Sequence, residues 1–515
     1  MKKKFFLVFI CCLFLFSCSK APVKKPKGKP KDIYIPKGSS ETVKKKIDLQ
    51  YSIFKDLNLP FPINNYGNMI DYLVPVNDND DSSINFSLFK KYNEKKVLDY
   101  YKDLNLRGLG DSSSYWRWKT SIKKSDLYNK IENKLVDISK TNYRNVFTLE
   151  NDTWVQKPLS KVGKIKNVQV AARGISGIIT HLLVTSANGR YLVTKEYNIR
   201  KLLATSNPLF GAKGSTNEYS TKPLISAVTS LPSAHLAIDD EDGYIHIYGS
   251  GYGHGAGMPQ YAAYTLAQRG NDYKDILKRY YKDTKLVNVS KILGSDTDIK
   301  VGITSSSSGN LDHKKLSVTS SGKLRVFNND IDISLGENQK VDIVSKSGKI
   351  HITTSKGKSY STNKALNFYA KGYYLTLSPV VKGHTSAPKY RGTLTISPNG
   401  NSLRVINTLD IEKYLLQVVP SEMPRSFGLE ALKAQAVAAR TYAVSDIQKQ
   451  KYIQYGFHIK DTVESQVYNN QVENDDATQA IEETEHKILI YDGKPIDAKY
   501  FSTSAGFTSF ANDIW

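Results

Sequence analysis

The spacing of apolar residues changes several times along this chain, and each change marks an element. Residues 164–199 alternate apolar and polar positions in two β-rich runs, and Asn-Gly at 188–189 predicts a hairpin. Residues 244–249, YIHIYG, read as another strand. Residues 114–130 pass from an aromatic strand into a helix, with Ser125 as the expected N-cap. Residues 258–282 predict two helices divided by Gly270, the second capped by Asp272. A short strand, IKVGIT, precedes the Ser/Gly segment 305–310. From 312 to 406 short alternating runs and turns such as SGK, SKGK and SPNG predict an all-β region. The period then changes. Residues 427–447, FGLEALKAQAVAARTYAVSDI, are rich in Ala and Leu and predict the strongest helix of the chain. Residues 486–505 return to strands around an Asp-Gly turn. The expected fold class is α+β, mainly strands, with one prominent helix.

The amino terminus follows a different logic. Residues 5–16 are twelve consecutive apolar residues behind Lys2-Lys3-Lys4, too short to span a bilayer, which takes about 18 or more. The run fits a signal peptide over 1–17. It ends Leu15-Phe16-Ser17-Cys18, which resembles a bacterial lipobox with Cys18 acylated; the alternative is an ordinary cleaved signal. Residues 18–60 then read as a lipid anchor and an extended Lys/Pro/Gly-rich tether. This predicts an exported protein on the membrane surface of the bacterial envelope, at the outer membrane or periplasmic side if the cell has two membranes.

With 515 residues, length alone allows about three domains. The net charge of +23 favours a polyanionic partner such as nucleic acid, anionic lipid or an acidic wall polymer. Export and the lack of any zinc-finger, P-loop or RNA-recognition pattern argue against nucleic acid. The three cysteines, Cys11, Cys12 and Cys18, all lie in the leader, so the remainder of the chain offers no thiolate metal site or internal disulfide.

Three segments hold candidate chemistry. In Val-Val-Pro420-Ser421-Glu422-Met423-Pro424 two prolines stiffen the backbone around one acid among apolar neighbours, just ahead of the long helix. Desolvation there would raise the carboxyl toward the range of a general acid; a surface-loop glutamate is the plain alternative. Lys433 and Arg440 lie seven apart and share a helix face, either as ligand-binding cations or as a solvated surface. In Gly249-Ser-Gly-Tyr-Gly-His254-Gly-Ala-Gly, five glycines surround one imidazole and permit close backbone approach to a ligand. The pattern is not a dinucleotide fingerprint.

The stretch from Tyr390 to Val444, with PSEMP at its centre, resembles the catalytic segment of the stage II sporulation protein D family. GYGHGAGMPQYAAYTLAQRGNDYKDILKRYY resembles that family's closing segment, and KYFSTSAGFTSFANDIW its middle. The family comprises envelope lytic transglycosylases that cut peptidoglycan glycan strands, and relatives described as amidase enhancers. The order differs: GHGAGM at 253–258 precedes PSEMP, and a family chain would run from Trp515 into something like GNMIDYLVPVND at 67–78. This implies a circular permutation, with the family's C-terminal half at 61–290 and its N-terminal half at 297–515, the two forming one groove. Trp515 is then expected near residues 60–70.

The resemblance implies Glu422 as the catalytic acid, supported by His254, Lys433, Arg440 and Tyr500. On that reading we assign Arg440 or Lys433 to the lactyl carboxylate of a peptide-stripped muramic acid, which suits a bidentate guanidinium. Ser421, Gln260, Gln466, Ser502 and Ser504 become candidates to bind the sugar, and Tyr468 an aromatic face for stacking. Some members carry a zinc site between two cysteines; here Lys460 and Ser465 replace the thiolates, so no metal is expected. No cofactor is implied. The expected partners are glycan strands and, in the enhancer alternative, a wall amidase.

Overall fold

A computed structural model describes residues 59–60, 70–89, 93–213, 217–305, 309–383, 388–469 and 471–515. The signal peptide, Cys18 and nearly all of the tether lie outside the described residues. The chain divides into two compact units, one holding residues 266–499 and the other residues 59–265 together with 500–515.

The first unit is built on strands. The expected all-β region is present from Lys315 onward and supplies a six-stranded sheet and five strands of a seven-stranded one, which Asp298–Ile303 and Ile459–Lys460 complete. Alternation places its residues: Ser402–Asp410 buries every second side chain and pairs with Thr393–Asn399 through the turn at Gly400. The hairpin joining Val341–Lys346 to Lys349–Thr354 turns at Ser347-Gly348, both with positive φ (50° and 76°). The predicted helix is Leu429–Lys449. Its alanines let other elements approach closely, and it is buried on most of its circumference, packed by the helices Ile411–Glu422, Asp475–Glu483 and Tyr273–Tyr280 and by the strand Lys487–Tyr491. Gly270 and Asp272 act as expected: Gly270 turns the chain at φ 85° and the Asp272 carboxylate accepts the N–H groups of Lys274 and Asp275, both at 2.9 Å.

The second unit has a five-stranded antiparallel sheet that includes the expected hairpin, Ile179–Ser186 with Arg190–Thr194, and a four-stranded sheet centred on Trp118–Lys123 and Tyr244–Gly249. The helix Lys124–Asn142 packs its apolar face, including Leu127, Ile131 and Leu135, into the core between them. It begins one residue before Ser125, and Ser125 caps nothing; its hydroxyl instead meets the Asp126 carboxylate at 3.3 Å. The last sixteen residues return to this unit. Tyr500–Phe501 pairs in parallel with Met258–Pro259, the Asp78 N–H donates to the Gly506 carbonyl at 2.8 Å, and the Thr508 N–H donates to the Val76 carbonyl at 2.9 Å. The architecture is thus α+β and mainly β.

Candidate active-site segments

Glu422 is the final residue of the helix Ile411–Glu422 rather than a member of a loop. Pro424 sets that boundary, because the residue before a proline avoids helical dihedrals; Met423 is extended at φ −132°, ψ 130°. Pro420 sits inside the last turn and withdraws one backbone donor from it. The Ser421 hydroxyl donates to the Gln417 carbonyl at 2.6 Å and the Met423 N–H to the Val419 carbonyl at 2.9 Å, so the turn stays closed. Glu422 is half-buried, and the Val467 N–H donates to its Oε1 at 2.7 Å. The acid stands at the negative end of the helix dipole, and this N–H supplies a compensating positive dipole.

Behind it lies a tyrosine stack. Tyr414 and Tyr468 are fully enclosed, with ring centroids 5.0 Å apart at 29°. Burial, then the neighbouring Tyr468 and Glu422, push the Tyr414 hydroxyl well above its ordinary range. That hydroxyl donates to Gln466 Oε1 at 3.1 Å, and Gln466 Nε2 donates to the Ala439 carbonyl at 3.2 Å. Tyr468 donates to Asn407 Oδ1 at 2.8 Å. Two expectations are corrected here. Gln466 and Tyr468 are core residues that tie the helices to the sheet, and neither offers a face to a sugar.

The two candidate cations of the long helix are engaged by protein acids. The Arg440 guanidinium is completely enclosed and donates to both Glu412 carboxylate oxygens, at 2.7 and 2.6 Å. It also donates to the Lys487 carbonyl at 3.1 Å. Lys433 is paired with Glu430 at 2.6 Å and Glu483 at 2.5 Å. Burial works to lower its ammonium, but the bonds to both acids outweigh burial and hold it above the ordinary range. Both side chains therefore meet protein carboxylates where a muramic carboxylate was expected. Glu430 also accepts the Tyr273 N–H at 2.8 Å.

The sequence reading missed the polar group on the other side of Ser421. Arg391 holds Glu473 through two bonds, 2.9 and 2.7 Å, and Tyr374 donates to the same acid at 3.0 Å. Burial opposes ionisation of Glu473, yet the Arg391 bonds prevail and hold its carboxyl below the ordinary range. The Ser421 hydroxyl accepts the Gln471 N–H at 3.2 Å. No local sequence signal joins Arg391 to Glu473, which lie 82 positions apart. In the segment that replaces the cysteines, the Lys460 N–H donates to Ser465 Oγ at 3.3 Å and Lys460 Nζ pairs with Glu464 at 2.6 Å.

The glycine-rich segment belongs to the second unit. His254 is buried; its Nδ1 accepts the Ala256 N–H at 3.2 Å and its Nε2 donates to the Tyr500 carbonyl at 3.1 Å. That pattern is the neutral Nε2–H tautomer. Phe501 and Trp515 flank the ring at 5.3 and 5.0 Å. The glycines make room for protein and not only for a ligand. A Cβ on Gly251 would stand 2.8 Å from the Thr503 carbonyl oxygen, one on Gly253 2.7 Å from Phe501, and one on Gly255 2.9 Å from His235. Tyr500 and Gln260 are buried, Ser502 is half-buried beside Thr503, and Ser504 is fully enclosed and accepts the Gly506 N–H at 3.2 Å. Ser504 therefore serves the turn, against the expectation that it binds sugar.

The sequence profile described as Stage II sporulation protein matches residues 399–491, which hold Glu422 and the helices around it. This segment is similar to the stage II sporulation protein D family. The chain is 34% identical over 152 residues to the stage II sporulation protein D of Bacillus subtilis, covering 25% of this chain and 44% of that protein. It is 42% identical over 98 residues to the amidase enhancer of the same organism, covering 19% of this chain and 13% of that protein. An uncharacterized protein of Brachyspira hyodysenteriae is 38% identical over 128 residues, covering 25% of this chain and 34% of that protein. The chain thus spans less than half the length of each of these relatives. No solved structure matches it. No helix of the described residues is long and apolar enough to cross a membrane.

Proposed function

We propose that this chain belongs to the stage II sporulation protein D family and is a peptidoglycan lytic transglycosylase with Glu422 as its single acid–base group. The supporting observation is the placement of Glu422: half-exposed at a helix end fixed by Pro424, with one carboxylate oxygen held by the Val467 N–H at 2.7 Å. The protonated carboxyl gives its proton to the glycosidic oxygen between N-acetylmuramic acid and N-acetylglucosamine, and the bond to C1 breaks. The resulting carboxylate takes the proton of the muramic 6-hydroxyl, whose oxygen closes on C1 to give a 1,6-anhydro end. The substrate supplies the nucleophile, so one carboxyl suffices where hydrolysis would use two. His254 and Tyr500 enter as supporting residues through the resemblance of their segments to the family.

We also propose that the two family halves are permuted. The return of residues 500–515 into the unit that begins before Val76 supports this order. Delivery to the envelope on a Cys18 lipid completes the reading. The second reading is a non-catalytic glycan-binding enhancer of a wall amidase, favoured by the 42% identity to an amidase enhancer.

The deciding experiment incubates the purified protein with peptidoglycan and separates the products chromatographically. Anhydro-muramic products that vanish in Glu422→Gln support the enzyme. Stimulation of an amidase without such products supports the enhancer, and full cleavage by Glu422→Gln discards the assignment.

A further inference from the structure

A cavity of about 500 Å³ lies in the first unit, between the helix Tyr273–Tyr280 and the edge strand Lys285–Asn288. Its floor is apolar. Leu277 comes from the helix, and Leu286 and Leu489 face each other across an antiparallel pair. Its walls carry Lys274, Lys278, Arg279 and Lys282 against one acid, Asp283.

Local helix energetics explains these cations only in part. Lys274 and Lys278 lie four apart within the helix, and like charges so placed destabilise it; Lys282 follows just beyond the helix end. The helix dipole favours Lys278 and Arg279 in the last turn but opposes Lys274 in the first. Lys274, Lys278 and Lys282 all carry exposed side chains, so they are available to an incoming group.

We infer that this cavity is an anion-binding site, separate from Glu422, that takes carboxylate or phosphate groups carried by the wall polymer. The three exposed lysines pair with the acidic group, and the leucine floor accepts the carbon skeleton that bears it. A concave site with an apolar base fits a discrete group on a polymer better than it fits a flat lipid surface. The inference rests on the wall-glycan reading and adds a second point of attachment to the strand.

The test is cosedimentation of the full chain with purified sacculi, in both wild-type and Glu422→Gln backgrounds. Arms with stem peptides removed, with wall phosphate removed and with phosphatidylglycerol vesicles identify the source of the anion. Lys278→Glu/Lys282→Glu is compared with a charge-matched control in the β region, Lys346→Glu/Lys349→Glu. The first pair is expected to weaken binding to intact sacculi about tenfold at roughly 0.15 M salt and less at high salt, with the control near wild type. Loss of that difference in one stripped arm assigns the anion to the group removed. Equal weakening by both pairs, no weakening by either, or weakening confined to vesicles overturns the site. Lys278→Gln/Lys282→Gln, which introduces no new repulsion, must move in the same direction. Binding does not depend on cleavage, so cleavage by Glu422→Gln would remove the catalytic reading and leave this result interpretable.

Discussion

Arg440 and Glu412 are joined by two hydrogen bonds of 2.7 and 2.6 Å, with none of the arginine side chain exposed. The pair fastens the long helix Leu429–Lys449 to the first turn of the helix that ends in Glu422. Removing the arginine leaves the largely buried Glu412 carboxylate with the His486 N–H, at 3.2 Å, in place of its countercharge. Arg440→Met is expected to destabilise the protein by about 3–5 kcal/mol, and Arg440→Met/Glu412→Leu to recover most of that loss. Urea titration followed by far-ultraviolet circular dichroism reads both. A double variant as unstable as the single would show that the arginine does more than answer Glu412.

Glu422 depends on reach. In Glu422→Asp the carboxyl retreats by one methylene from the Val467 N–H that now holds it at 2.7 Å. On the proposed mechanism a displaced general acid forfeits most of its contribution, so anhydro-product formation is expected to fall about 100-fold or more, with the thermal midpoint little changed. Product chromatography on the aspartate variant is the measurement. Wild-type turnover with the shorter side chain would mean that the contact to Val467 does not position the acid.

These two residues also mark where sequence legibility ends. The long helix and Glu422 stand out because an alanine-rich run and two prolines are local signals. The exact seat of Glu422 was missed, since Pro420 is tolerated inside a last turn closed by Ser421 and Met423. Arg440 looked like a ligand-binding cation because its partner is 28 positions away. Tyr468 and Gln466 looked like binding groups for the same reason: a buried polar side chain finds its partner through the fold, and nothing in the neighbouring sequence announces it. The hairpins, by contrast, were readable from their turn residues.

The glycines around His254 provide a third test. Gly243, Gly251 and Gly255 share positive φ values of 77°, 79° and 93°, but only the last two face close neighbours; around Gly243 a Cβ would meet nothing within 4 Å. All three alanine variants bear the conformational cost, about 1 kcal/mol. Gly251→Ala must in addition push against the Thr503 carbonyl and Gly255→Ala against His235, so a total loss of about 2–3 kcal/mol is expected for each. All four tryptophans, Trp116, Trp118, Trp154 and Trp515, lie in the second unit, so their fluorescence during urea unfolding reports on it. Equal losses at the three positions would show that the glycines serve backbone conformation alone.

The same fluorescence carries the pH prediction. Burial, reinforced by Arg173, pulls the His235 imidazole down to about 3, and burial with Lys195 pulls His181 down to about 4. His235 is held neutral among the hydroxyls of Ser176 and Ser509, at 3.3 and 3.2 Å. In the unfolded chain both rings take up a proton near pH 6.5, as exposed histidines do, so below that pH the unfolded state binds more protons than the native state. Stability from these groups is complete above about pH 6.5 and is lost as pH falls toward 4 and 3. Each histidine contributes a slope of at most about 1.4 kcal/mol per pH unit within its window. The urea midpoint of the tryptophan signal is therefore expected to drop steeply between pH 6.5 and 4, and His235→Gln to flatten that drop while lowering the midpoint at pH 7. A variant that unfolds with the wild-type pH slope would remove His235 from the account.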